Sequence, residues 1–334
     1  MKNFNSHLYE LERVRQTVPH LHFNSEVSLV EWQENAKSKL TELLGLPLRH
    51  GGSAFELDRC ENCDGYTDYR FTVESEPGYF VPCHLLLPDG DKEKYPLTIC
   101  FSGHGAGMHI ALGRPKNEKD EKSLADWHHR AMGPRSVKEG RAALVIEARS
   151  FGECSINGYG TSCTETAKTA ILMGRTLIGE RVHDAACALD AVLANFPIDE
   201  GNIVATGNSG GGTAAYYFSA LDERVSVCAP SCSICTFEGS IIAMEHCMCN
   251  HIPSIRRYFE MSDIAGLIAP RPLIIAAGRE DPIFPIAPTK ECFGEILKIY
   301  SAFGCEERCE LLVGDGGHLN YADLLWDKIH ALGY

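Results

Sequence analysis

The chain has 334 residues, 44% of them hydrophobic and 23% charged, enough to bury a large core without help from disulfides or metal. Its net charge of −14 disfavours nucleic acid and anionic membrane surfaces as partners, and no Lys/Arg run offers a local exception. No apolar h-region stands in MKNFNSHLYELERVRQ and no run of about 18 apolar residues occurs, so the chain is expected to be cytoplasmic, with reduced thiols and no membrane segment.

In chain order, the first clear element is SLVEWQENAKSKLTELL (28–44), a helix with Leu29, Trp32, Ala36, Leu40 and Leu43 on one face. Ser28 and Glu31 match a capping box, and Gly45 and Pro47 end the helix. DYRFTVES (68–75) and GYFVPCHLLLP (78–88) then predict two strands, joined antiparallel through a turn at Pro77-Gly78.

After Pro96 come short, almost continuous apolar runs: LTICFSG (97–103), AALVIEA (142–148), NIVATG (202–207), RVSVCAP (224–230), PLIIAAG (272–278) and CELLVG (309–314). Such runs suit strands covered on both faces of a parallel sheet. Helical stretches at 180–196, 213–221, 289–303 and 321–332 separate several of them. The alternation predicts an α/β fold with a mainly parallel central sheet flanked by helices. Three connections are long, at 104–141, 149–179 and 231–271, where an open α/β sheet builds its ligand site. The charge run GRPKNEKDEKSLADW (113–127) reads as a solvated face.

Cys60-Glu-Asn-Cys63, Cys232-Ser-Ile-Cys235 and Cys247-Met-Cys249, with His246 and His251 nearby, invite a zinc reading. The two CxxC units lie far apart in sequence, however, and a buried free cysteine behaves as a small apolar residue. No metal and no cofactor are expected.

The chemistry-bearing stretch is NIVATGNSGGGT (202–213), a strand that runs into Gly207-Asn208-Ser209-Gly210-Gly211 and then a helix. In that setting G-x-S-x-G forms a nucleophile elbow, with the serine hydroxyl pushed into the open above the sheet. Gly-rich turns also cradle phosphates. A serine nucleophile, however, needs a base and an acid that orients it, in the chain order Ser, Asp/Glu, His. PLIIAAG ends in Arg279-Glu280-Asp281, and CELLVG ends in Asp315-Gly316-Gly317-His318, so both candidates follow buried strands at the same sheet edge as Ser209.

On these residues the chain resembles the α/β-hydrolase superfamily, and within it the acetyl xylan esterase-like and dienelactone hydrolase-like branch. The resemblance covers roughly 65–334 and rests on GNSGG, AGREDPIFP, GGH, the SGHG after the first parallel strand, and EMSDIAGLIAPRPLIIAAG (260–278). EARSFGE (147–153) is similar to a segment of these hydrolases, with Glu147 and Ser150 departing from the usual acid and glycine. The resemblance implies an α/β-hydrolase domain over 65–334 behind a helical extension over 1–64, one domain overall.

It also implies roles. Ser209 attacks the acyl carbon, His318 is the base, and Asp281, with Glu280 as rival, orients the imidazole. The N–H of Gly210 and one from the loop after LTICFSG, at Ala106 with Gly105 in reserve, form the oxyanion hole. His104 either orients that loop or fills space. The implied reaction is hydrolysis of short acyl esters, acetyl above all, on carbohydrates or small metabolites. Tyr258, Phe259, Met261 and Trp127 are candidates for a substrate wall, though core positions suit them as well, and Arg256-Arg257 could receive an acidic substrate. His109, His128, His129 and His183 have no assignable partner. A prolyl oligopeptidase-type peptidase would need propeller repeats before the domain, and a lactonase of the dienelactone type would carry cysteine at the elbow. A non-catalytic binding protein would lack a member of the trio. The partner is thus a small-molecule ester. Subunit number, a homo-oligomer included, stays open.

Overall fold

The computed structural model describes residues 4–126 and 130–334. Helix α1 (Ser6–Gln16) starts at Asn5, whose side chain accepts from the Leu8 N–H, and it buries none of its residues. Helix α2 (Leu29–Leu44) packs Trp32, Ala36, Leu40 and Leu44 inward at helical spacing and stops at Gly45 with φ 77°. The expected capping box does not form. Ser28 is the N-cap, but its side chain caps nothing, and the first turn closes through Trp32 N–H to the Ser28 carbonyl.

The extension expected to be helical over 1–64 then turns into sheet. Strand β1 (Ala54–Cys63) pairs antiparallel with β2 (Tyr66–Glu76), which pairs antiparallel with β3 (Tyr79–Pro88). The expected antiparallel pair is therefore the inner part of a three-stranded meander. Strand β4 (Tyr95–Phe101) follows, then helices α3 (Met108–Ala111), α4 (Glu118–Asp126) and α5 (Met132–Lys138), and strand β5 (Ala142–Ile146). Helices α6 (Cys163–Leu172) and α7 (Leu177–Asn195) lead to β6 (Ile198–Asn208), α8 (Gly210–Leu221) and β7 (Val227–Ser231). The chain closes with α9 (Ile255–Tyr258), α10 (Met261–Gly266), β8 (Leu273–Gly278), α11 (Ile286–Ala302), β9 (Cys309–Gly314) and α12 (Ala322–Ala331). No described helix is long and apolar enough to cross a membrane.

The nine described strands form one sheet in the order β1-β2-β3-β5-β4-β6-β7-β8-β9. From β5 through β4 to β9 every pairing is parallel. Both faces of the parallel part are covered, which is why its strands read as unbroken apolar runs. Ile203 and Ala205 of β6 face one core, with α2, α7 and α8, while Val204 between them faces the other, with α12. Each Ile or Leu so buried stabilises the fold by about 1.5–3 kcal/mol relative to exposure.

The chain leaves β4 for β5 on one side and later returns to β6 on the other. The loops after β4 and β6 therefore diverge at their carboxyl ends and open a crevice there.

Candidate active site

Ser209 stands between β6 and α8 with φ 57° and ψ −125°, a conformation that a non-glycine residue rarely holds. Its N–H donates to the Ser231 carbonyl at 2.9 Å, which pins the turn to β7. The flanking glycines are set by close approach. A Cβ on Gly207 would overlap the Gly211 backbone, and one on Gly211 would overlap the Phe101 carbonyl. Helix α8 starts immediately after the serine and has twelve residues, so its positive end faces the crevice.

On the next loops, His318 Nδ1–H donates to Asp281 Oδ2 at 2.8 Å. Asp281 Oδ1 accepts from the N–H groups of Ile283 (2.8 Å) and Phe284 (3.0 Å), so the acid is fixed by its own turn as well as by the imidazole. Burial alone would push the Asp281 carboxyl up, but the His318 bond and the two N–H donors hold it below the ordinary carboxylate value. Glu280, the rival acid, is exposed. The Phe284 ring stacks on His318 at 5.9 Å and 12°. Ser231 Oγ donates to the Leu319 carbonyl at 2.9 Å and ties the histidine loop to the elbow strand.

Ser209 and His318 line one cavity of about 350 Å³, together with Gly103, His104, Gly105, Ile110, Arg130, Met132 and Ile283. The loop after β4 is its second wall. A Cβ on Gly103 would lie 3.8 Å from the Ser209 Cβ, and one on Gly210 would lie 2.5 Å from His104 Nδ1. Of the two candidate donors on this loop, Gly105 lines the cavity, whereas the Ala106 carbonyl accepts from the Gly160 N–H on the connection after β5.

That second wall is braced from behind. Glu147 accepts from the Met108 N–H at 2.9 Å and the Glu153 N–H at 3.2 Å, and burial pushes its carboxyl up to about 7. Arg149, also of the EARSFGE segment, pairs with Glu76 and Asp184 at 2.7 Å each and covers the Tyr79 ring at 4.0 Å. These residues hold the loops around the site and do not reach the cavity.

Sequence reasoning missed Arg130. Its guanidinium donates to Ser123 Oγ (2.6 Å) and the His104 carbonyl (3.4 Å), and burial lowers its pKa. No local pattern marks it, because only the fold brings it to Ser209. The proposed wall lies elsewhere: Phe259 and Met261 are core residues, Tyr258 packs against His20, and none lines the cavity. Arg256 is also remote, bonded to the Phe259 carbonyl and paired with Glu260. Trp127, His128 and His129 lie outside the described residues. His109 pairs with Asp120 at 2.9 Å and His183 bonds the Ser75 carbonyl.

The fold has close counterparts. A putative acetyl xylan esterase from Bacteroides fragilis superposes with a TM-score of 0.83 at 16% identity, over 99% of this chain and 96% of that one. A CE15 glucuronoyl esterase from Teredinibacter turnerae superposes with a TM-score of 0.67 at 15% identity, over 96% of this chain and 90% of that one. At such identities the likeness is one of fold. In sequence, the chain is 26% identical over 263 residues to a Bacillus subtilis protein named "Putative hydrolase YtaP", covering 78% of this chain and 83% of the relative. Residues 9–288 match the Abhydrolase family, and with the elbow, sheet order and cavity described above, the chain belongs to that family of α/β-hydrolases.

Proposed function

We propose that this protein is a serine esterase that cleaves short acyl esters, acetyl esters above all, of carbohydrates or small metabolites through a Ser209 acyl-enzyme. The observation that carries the reading is the 2.8 Å bond from His318 Nδ1 to Asp281, in a cavity that His318 shares with Ser209. With Nδ1 engaged by the carboxylate, the Nε2 lone pair is the free base of the imidazole.

In this mechanism Nε2 takes the Ser209 proton as Oγ attacks the acyl carbon, and Asp281 stabilises the imidazolium. The Gly210 N–H and an N–H of the loop after β4, at Gly105 or Ala106, receive the oxyanion. A donor of that kind contributes about 10²–10³ in turnover. His318 returns its proton to the leaving alcohol, and water then repeats the sequence to release the acid. A cavity of about 350 Å³ lies near the lower end of ligand-site sizes, which favours a small acyl group. The structural counterpart described as a putative acetyl xylan esterase supports the same substrate class.

A fluorophosphonate probe should label the wild type and leave Ser209→Ala unlabelled. The same variant should lose at least about 10³-fold in turnover of p-nitrophenyl acetate. An intact wild type that fails to react with the probe refutes the serine mechanism. Preferential cleavage of a peptide anilide over acetyl esters refutes the esterase assignment.

A further inference from the structure

Behind the loop that follows β4, four side chains from three separate connections converge. His104 Nε2 lies 3.1 Å from Cys249 Sγ and 4.0 Å from Cys163 Sγ, and Cys249 Sγ is 3.4 Å from Cys247 Sγ. All four candidate donor atoms fall within 4.8 Å of one another. We propose that His104, Cys163, Cys247 and Cys249 bind a structural zinc ion through one imidazole and three thiolates.

The donor set and spacing fit. Tetrahedral zinc takes Cys₃His sets, with bonds of about 2.3 Å to sulfur and about 2.0 Å to nitrogen, which put ligand atoms about 3.6–3.8 Å apart. The separations here straddle those values, so small side-chain shifts admit the ion. Four protein donors leave no open position, which makes the ion a staple and not a Lewis acid for substrate. Soft thiolates also select zinc over magnesium or calcium.

Charge supplies an independent argument. Arg181 is 4% exposed, and its guanidinium meets the Arg149 carbonyl at 2.9 Å, Cys163 Sγ at 3.4 Å and the Phe151 ring at 4.4 Å. Among the described residues it makes no ion pair with a carboxylate. A buried cation of this kind needs a counter-charge. Zinc with three thiolates and a neutral imidazole carries one negative charge, and Arg181 cancels it. Phe151 and Leu177 pack with Cys163 and Cys249, so the pairing sits in an apolar setting that favours it.

The ion would join the three long connections. His104 comes from the one after β4, Cys163 begins α6 after β5, and Cys247 and Cys249 lie on the one after β7. The CxxC pairs do not contribute: Cys60 is exposed on β1, and Cys232 neighbours Asp281 and His318. Because His104 Nδ1 faces Gly210 and Gly105 lines the cavity, the ion would also fix the wall opposite Ser209. That consequence rests on the catalytic reading; the metal assignment does not.

Protein purified under a phosphine reductant without chelator should hold close to one zinc per chain by plasma mass spectrometry. Cys163→Ser and Cys249→Ser should lose most of it, and Cys60→Ser should keep it. As those variants could misfold, a second measurement uses the wild type: stripped of metal under reducing conditions and given cobalt(II), it should develop thiolate charge-transfer absorption and the intense visible bands of a tetrahedral site. Reduced, folded wild type that holds under about a tenth of an equivalent of zinc and gives no cobalt–thiolate spectrum overturns the proposal. So does peptide mapping that finds a disulfide among Cys163, Cys247 and Cys249 in protein never exposed to oxidant. Fluorophosphonate labelling of the same samples separates the two claims, since zinc without labelling sinks only the serine mechanism, and labelling without zinc sinks only the metal.

Discussion

The two walls of the cavity are held in different ways. On the Ser209 side the backbone itself sets the geometry: a Cβ on Gly207 or Gly211 would run into main chain, and the Ser209 N–H is bonded to β7. On the opposite side, the loop Gly103–Gly107 is positioned by side chains from distant segments, among them Glu147, Arg130 and the cysteines around His104. A wall set by backbone has one arrangement. A wall set by titratable and metal-binding side chains can be tuned by pH, metal and mutation, and the two should answer perturbation differently.

The largest effect is expected on the backbone-set side. Asp281→Asn keeps the turn, because the amide oxygen can still accept from Ile283 and Phe284, but it no longer presents a carboxylate to His318 Nδ1. The imidazole then loses its required tautomer, and turnover of an acetyl ester should fall by about 10⁴-fold with thermal stability little changed. Steady-state kinetics beside a melting curve checks this. A fall of only a few-fold would mean that Asp281 merely shapes its loop.

The same contrast explains what could be read from the amino-acid sequence. The elbow, Asp281 and His318 each follow a buried strand directly, so the order of apolar runs was enough to bring them to one edge. The parallel strands were legible for the same reason. Strand β1 was not, because AFELDRCENC lies at the sheet edge and is exposed along most of its length, which leaves no burial pattern to detect. The box at Ser28 was a motif without its bonds. Arg130 was invisible, and of the metal cluster only Cys247-Met-Cys249 stood out, with the wrong histidines: His104 and Cys249 are 145 residues apart, and their meeting is a property of the packed loops alone.

The side-chain-set wall should respond to pH through Glu147. Its carboxyl is raised to about 7 when folded, from its ordinary value of 4.5 in the unfolded chain, so the folded state keeps a proton that the unfolded state releases. Stability from this group is therefore full below about pH 4.5 and falls as pH rises through 7. The upper limit of that loss is about 3 kcal/mol at 1.36 kcal/mol per unit. Glu147→Gln cannot ionise. Whatever the amide costs beside the Met108 and Glu153 N–H donors is the same at every pH, so the variant should gain on the wild type between pH 5 and pH 8. Urea unfolding at the two pH values measures the difference, and an unchanged offset would show that the carboxylate is already ionised at low pH.

The smallest effect is expected at Arg130, which sharpens the comparison most because it touches both loop and cavity. Its guanidinium braces the His104 carbonyl and lines the cavity, so an anionic group on the substrate could pair with it. If it serves binding, Arg130→Ala should raise KM about tenfold for an acetyl ester of an acidic sugar, hardly alter it for a neutral one, and leave kcat in place; Arg130→Lys should recover part of the loss. If it serves only as a brace, the variant should lower kcat alike for acidic and neutral esters, because a loose loop misplaces the oxyanion donor whatever the substrate carries. The ratio of kcat/KM for the two esters decides between them. A ratio unchanged by the mutation would assign Arg130 wholly to the side-chain scaffold of the second wall.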